Sequence, residues 1–595
     1  MPSSPETTLR RVLRGAAMAA ALAALAGCGG GSSGSSGAFL PTPAPAPAPE
    51  APPEPPPAAP QDGPMVRQTL AGKVDGVDDS AASGTHFWKG IPFAQPPVGP
   101  LRWAPPVDSV AWDGVRAAQQ FGQSCAQGGR FYSPAPDNAP YSLAVREGFG
   151  KPVGDEDCLT LNVWRPAGAD ANLPVLVFIH GGSNISGYSA DPVYDGAALA
   201  KRANAVVVTL NYRVGILGWL DLPQLKAGEV QGDSGNFALL DQLQALKFVK
   251  GNIGAFGGDA GNVTVMGQSA GAVNVWALLL SPLSEGLMHK AVPLSGGVAN
   301  ASRSTAQTYS KALLDAIVIA DGKATDTATA QSWLATQTNA QISAYLRAKP
   351  AAMLLTVMLA NPQLGNAPAP IEDGTVLPVN AVAALAAGQH SKIPLMVGNT
   401  KDEGTLFAGL FGAVTGSGVS GFKPNDYDRF GLQFNFDPDA PGSLTEADLI
   451  SAPYLPVDAV PFGWNALSAF ATHSIFTGPI VPQLNSLSAQ QQAQTWYYRF
   501  DWNEAPAPFA TVYGATHALD MPFLFGNFGV NVFSFAYSTA NAPGREALSA
   551  AMMDSLAAFA RTGNPNHAGL GVTWPSWPGR LVFDATPTQL QNSLP

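Results

Sequence analysis

Apolar positions fall into three regimes along the chain. Gly15 to Ala26 is an unbroken apolar run of twelve residues behind Arg10, Arg11 and Arg14. A membrane-spanning helix needs about 20 such residues, so this pattern fits the apolar region of a signal peptide. Residues 29–64 have no apolar periodicity. From about residue 66 onward, short β-branched runs alternate with helical patterns. Val175–Ile179, Ala205–Leu210, Val263–Met266 and Ile393–Val397 are expected to be buried strands. Asn236–Lys250 is expected to be an amphipathic helix, with Phe237, Leu240, Leu243 and Leu246 on one face. Strands alternating with helices predict an α/β fold with a mainly parallel sheet, whose functional groups sit at the carboxyl ends of the strands.

Composition sharpens the first two regimes. Residues 41–64 hold 12 prolines in 24 positions, and proline fixes φ and lacks the N–H that helices and sheets need. The segment is expected to be a semi-rigid spacer, roughly 75 Å long if extended at about 3.1 Å per residue. The stretch Leu25-Ala26-Gly27-Cys28 resembles the bacterial lipobox, in which the cysteine becomes the lipidated first residue of the mature protein. The alternative is an ordinary signal peptide with an incidental cysteine. The division expected is a lipoprotein signal peptide over 1–27, a lipidated Cys28 with its tether over 28–64, and one catalytic unit over 65–595. The protein is then lipid-anchored in the bacterial envelope, at the outer membrane, on its periplasmic or cell-surface face. A formal charge of -11 argues against nucleic acid as a partner, because such binding rests on dense Lys/Arg patches.

The chemistry centres on Val263-TVMGQSAG, where a strand runs straight into Gly267-Gln268-Ser269-Ala270-Gly271 and then an apolar helix. Glycines on both sides of the serine permit the tight turn of a nucleophile elbow. A serine hydroxyl attacks poorly unless a histidine takes its proton and a carboxylate orients that histidine. The chain has seven histidines, and in this elbow context the acid and then the base follow the serine in the chain.

Ten motifs in order resemble those of the type B carboxylesterases, the family of para-nitrobenzyl esterases and cholinesterases, across nearly all of residues 66–595. They are Gly90-IPFAQPPVGPLRW, Glu156-DCLTLNVWRP, His180-GG, Asn211-YRVGILG, Gly235-NFALLDQ, Asn252-IGAFGGD, the elbow, Asp402-EG, Gly514-ATH and Thr562-GNPN. The resemblance implies an α/β-hydrolase fold, with helices on both faces of the sheet and insertions that form a gorge. It implies a serine carboxylesterase working through an acyl-enzyme, with Ser269 as nucleophile, Glu403 as acid and His517 as base, and with no metal or organic cofactor. Asp402 is the runner-up acid. The remaining histidines, His86, His289, His390, His473 and His567, are expected to be structural. Gly182, Ser183 and Ala270 are implied as the oxyanion hole, whose backbone N–H donors contribute about 3 to 4 kcal/mol each to the transition state. Cys125 and Cys158 are implied as a disulfide beside the gorge, and the variable region from about Gly409 to Ala471 as part of its wall.

Three positions depart from the family pattern. Ser183-Asn184 stands where glycine or alanine and an aromatic are usual, Gln268 replaces a common glutamate, and Ala518 follows the histidine where glycine is frequent. The expected partner is a small or polymeric ester, with the tether suited to large or aromatic esters outside the cell. The alternatives from other classes are a non-catalytic binding module of the same fold, and hydrolysis of amides, carbamates or thioesters.

Overall fold

A computed structural model describes residues 62–168, 170–491 and 494–595; Cys28 and the proline-rich tether up to residue 61 lie outside the described residues. Ten strands build the central sheet: β1 (Val77–Asp79), β2 (Thr85–Pro92), β3 (Thr160–Pro166), β4 (Leu173–Ile179), β5 (Val206–Leu210), β6 (Gly258–Gln268), β7 (Lys290–Leu294), β8 (Leu395–Thr400), β9 (Thr495–Phe500) and β10 (Leu581–Phe583). Their order across the sheet is β1-β2-β3-β5-β4-β6-β7-β8-β9-β10. The first three strands and β5 pair antiparallel, and every pairing from β5 to β10 is parallel.

Strand β4 shows why the core strands are unbroken apolar runs. All seven of its residues are buried, because both faces of a parallel sheet are covered. Val175, Val177 and Ile179 join one core with Leu239, Leu243 and Leu246 of helix α1 (Phe237–Asn252) and Val275 and Leu278 of helix α2 (Ala270–Leu280). Leu176 and Phe178 point the other way, into a core with Leu548, Met552, Leu556 and Phe559 of helix α3 (Ala542–Thr562). The period-2 alternation of a strand thus divides one sequence between two hydrophobic cores.

Helix α1 departs from the amphipathic expectation. Asp241 and Gln242 are buried along with its leucines. The reason is Arg213, whose Nε and Nη2 grip Asp241 at 2.8 and 2.7 Å. Burying a carboxylate is tolerated only when it is paired and hydrogen-bonded, and this fork supplies both.

The parallel topology brings four chain reversals to one edge of the sheet. β4 ends at Ile179 before Gly181-Gly182-Ser183, β6 at Gln268 before Ser269, and β8 at Thr400 before Glu403, while β9 ends at Phe500 upstream of His517. Above this edge Cys125 and Cys158 form a disulfide across a sequence separation of 33. The excursion it closes carries Phe131 and Phe149 onto Phe430, with ring centroids 5.3 and 5.7 Å away.

A cross-link of this span removes about 3 to 4 kcal/mol of unfolded-chain entropy. The Cys125→Ser/Cys158→Ser double variant is therefore expected to lose about that much stability in urea unfolding; a loss under about 1 kcal/mol would contradict it.

Candidate active site

Ser269 sits between β6 and α2 with φ 58° and ψ -122°, a conformation that an L-residue holds only when its surroundings enforce it. Two glycines enforce it. A Cβ on Gly267 would lie 2.4 Å from the Gly271 carbonyl oxygen, and one on Gly271 only 2.1 Å from that of Ile179. The turn is thus pressed against the end of β4, and its hydroxyl faces a cavity of about 710 Å³.

Glu403 and His517 reach the same place from two other segments. Glu403 is fully buried; its Oε2 lies 2.5 Å from His517 Nδ1, and its Oε1 accepts from the Thr400 N–H at 2.8 Å and from Asn399 Nδ2 at 3.1 Å. Burial works to raise the carboxyl pKa, but the charge and hydrogen bond of His517, together with the Ser295 and Asn399 side chains, outweigh it and leave Glu403 below its ordinary value. The neighbouring Asp402 is turned elsewhere, its Oδ2 accepting from the Ala515 N–H at 2.9 Å. Thr405 completes the clasp, its hydroxyl lying 2.9 Å from the Tyr513 carbonyl oxygen and 2.8 Å from the Thr516 hydroxyl. The Asp402–Thr405 turn therefore grips the His517 loop at several points. A second buried carboxyl, Asp520, is pushed up to about 7 by burial, with the Glu403 charge adding to the effect.

His517 lines the cavity and the other six histidines do not. His86 faces Asp78 at 3.3 Å, His289 accepts the Val263 N–H at 3.1 Å, and His567 accepts the Gly569 N–H at 3.2 Å. His180 is fully buried, stacked on Tyr212 with ring centroids 4.4 Å apart, and burial pushes it down to about 4.

Gly182 and Ser183 form the cavity wall beside Ser269, and Ala270 opens helix α2. Among the described residues, none accepts a hydrogen bond from the N–H of Gly182, Ser183 or Ala270. Three unpaired donors beside a hydroxyl, one of them at a helix N-terminus, make a place where developing negative charge is stabilised. Ser183 and Asn184 both adopt positive φ, 57° and 59°. They are held by a contact with a distant residue. Asn184 Nδ2 donates to Asn274 Oδ1 at 3.1 Å, and Asn274 Nδ2 donates back to Asn184 Oδ1 at 2.8 Å. This buried amide pair fastens the loop after β4 to helix α2; its one sequence signal was the unusual Asn184. Ala518, the third departure, also has positive φ, 69°, the conformation that explains why glycine suits the position.

Ser269 and His517 line one cavity, yet no hydrogen bond joins them. Ser269 Oγ has no hydrogen-bond partner among the described residues, and His517 Nε2 instead lies 3.1 Å from Gln268 Nε2. Further wall comes from Gly129–Tyr132 and Phe149 of the disulfide-closed excursion, from Tyr188 and Tyr194, from Phe407 and Phe533, and from Asn425, Asp426, Tyr427 and Arg429. Of the expected region 409–471, only these last four reach the cavity. Asp191 is pushed up to about 6 by burial.

The model of the carboxylesterase family matches residues 62–585. The para-nitrobenzyl esterase of Bacillus subtilis is 34% identical over 519 residues, spanning 86% of this chain and 92% of that relative. The fumonisin B1 esterase of Sphingopyxis macrogoltabida is also 34% identical, over 87% of this chain and 86% of its own. Among solved structures, a PNB esterase aligns with a TM-score of 0.67 and 30% identity, over 89% of this chain and 97% of its own. A Geobacillus stearothermophilus carboxylesterase aligns with a TM-score of 0.66 and 30% identity, covering 89% and 98%.

Asn274→Ala leaves the buried Asn184 amide without its partner. An expected loss of about 1 to 3 kcal/mol in urea unfolding follows; unchanged stability would show that the pair does not hold the loop.

Proposed function

The chain belongs to the carboxylesterase family and is a carboxylic ester hydrolase, and on that premise we propose that Ser269, His517 and Glu403 perform its chemistry. The observation that carries this reading is the buried 2.5 Å contact between His517 Nδ1 and Glu403 Oε2 in the cavity of Ser269. Glu403 holds Nδ1–H, which leaves Nε2 as the acceptor for the serine proton. Ser269 Oγ attacks the ester carbonyl as its proton passes to His517 Nε2. The carbonyl oxygen, now negative, takes the N–H groups of Gly182, Ser183 and Ala270. The imidazolium, stabilised by Glu403, returns the proton to the leaving alcohol oxygen. Water then attacks the acyl-enzyme, giving its proton to the same nitrogen, which passes it to Ser269 Oγ as the Oγ–acyl bond breaks and the acid product leaves.

The cavity supports bulky or aromatic esters as substrates, since Phe131, Tyr132, Phe149, Tyr188, Tyr194 and Phe533 line it. Its relative's name, para-nitrobenzyl esterase, points the same way. We place the enzyme at the bacterial envelope, lipidated at Cys28 and carried on the tether up to residue 64, where large or polymeric esters are within reach. The support for that placement is the pattern of the first 64 residues.

Ser269→Ala is expected to lower para-nitrophenyl ester turnover by at least about 10⁴-fold without loss of fold; hydrolysis at the wild-type rate would overturn the assignment. For the tether, degradation of a polyester film is expected to fall on deletion of residues 29–64 while soluble-ester turnover stays unchanged. Equal film activity would remove the tether's role.

A further inference from the structure

One ring nitrogen in the cavity is claimed twice. With Nδ1–H committed to Glu403, His517 has a single lone pair left, on Nε2. Ester cleavage needs that lone pair for the Ser269 proton. In this structure the Gln268 amide has it, donating across 3.1 Å between two side chains each about 3% exposed. The donor must be the amide nitrogen, because Nε2 has no proton to give in the tautomer that Glu403 selects. The amide oxygen points to Gly181, where a Cβ would lie 2.8 Å from Gln268 Oε1, so the side chain fits because position 181 is glycine. Phe407 and Phe476 flank the imidazole with ring centroids 5.1 and 4.9 Å away. These rings offer Nε2 no competing acceptor or donor.

We propose that Gln268 is a positioning residue that caps His517 Nε2 in the resting enzyme and yields that nitrogen to Ser269 as substrate enters. Acylation then includes an exchange of donors at one lone pair. The glutamine matters chemically. A glutamate at this position has no proton for a neutral Nε2 and instead favours the imidazolium, whereas a neutral amide stabilises the free base. The departure at position 268 thus exchanges a group that charges the base for one that masks it. The proposal rests on the roles given above to Ser269 and His517, and its test separates the two.

The test is the rate at which a fluorophosphonate labels Ser269 in the full chain, measured against pH. Gln268→Met removes the donor at similar volume, and labelling is expected to accelerate about two- to tenfold, the worth of one ordinary neutral hydrogen bond. Gln268→Glu places a carboxylate beside Nε2, and the acid limb of the labelling profile is expected to move up by about one pH unit or more. The other titratable groups around His517 are Glu403 and Asp520, and neither variant changes them. A glutamine with a merely structural role leaves the acid limb in place. Labelling of Gln268→Met at or below the wild-type rate in a cooperatively folded protein would overturn the cap, as would a Gln268→Glu acid limb that coincides with wild type. Labelling that survives Ser269→Ala would instead sink the nucleophile assignment.

Discussion

The hydrogen bond between Glu403 and His517 is the contact around which the rest of the molecule is arranged. A fully buried carboxylate is expensive unless its charge and lone pairs are answered. Here one oxygen takes the imidazole and the other takes the Thr400 amide and Asn399. The two partners lie 114 residues apart, on segments that meet only in the folded chain. Asp402 and Thr405 lock the turn that bears Glu403 to the segment that bears His517, so the pair is held by backbone contacts on both sides. Its geometry depends in turn on β8 and β9, which pair in parallel register from Leu395 with Thr495 to Thr400 with Phe500.

The sheet does for the serine what those loops do for the base. β6 is held between β4 and β7, and helices α1 and α2 cover one of its faces. The strain at Ser269 is stored in a turn with no room to relax, since Gly267 and Gly271 are already in contact with backbone. The unpaired N–H groups of Gly182, Ser183 and Ala270 are fixed by the same packing, helped by the amide pair between Asn184 and Asn274. Electrostatic stabilisation of this kind is effective because the dipoles are oriented before charge develops. The disulfide-closed excursion and residues 425–429 then build walls above a rigid floor.

Features coded locally were legible in the sequence. The elbow is a strand, two glycines and a helix within a few residues, and all of it was readable. The central strands were readable because burial on both faces leaves an unbroken apolar run, as in β4. The choice of Glu403 over Asp402 came from family resemblance; in the structure Glu403 lies 2.5 Å from His517 Nδ1, while Asp402 accepts from the Ala515 N–H. Contacts between distant residues were not legible. The burial of Asp241 in a helix expected to be amphipathic depends on Arg213, which lies 28 residues earlier in another segment. Asn184 and Asn274 are 90 residues apart, and Gln268 and His517 are 249 apart. Asn184 and Gln268 stand out locally as departures from the family pattern, but nothing local marks the partner that each one meets. β10 has only three residues, too few for any periodicity to register.

Everything downstream of the Glu403–His517 contact assumes that the carboxylate both orients the imidazole and stabilises its charged form. Glu403→Gln keeps the size of the side chain and removes the charge, so it isolates that role. The deciding measurement is kcat/KM of this variant on a para-nitrophenyl ester, with thermal unfolding as a control. A fall of about 10³- to 10⁴-fold with the fold intact is the expected result. Activity within about tenfold of wild type would show that Glu403 is not the group on which the histidine depends.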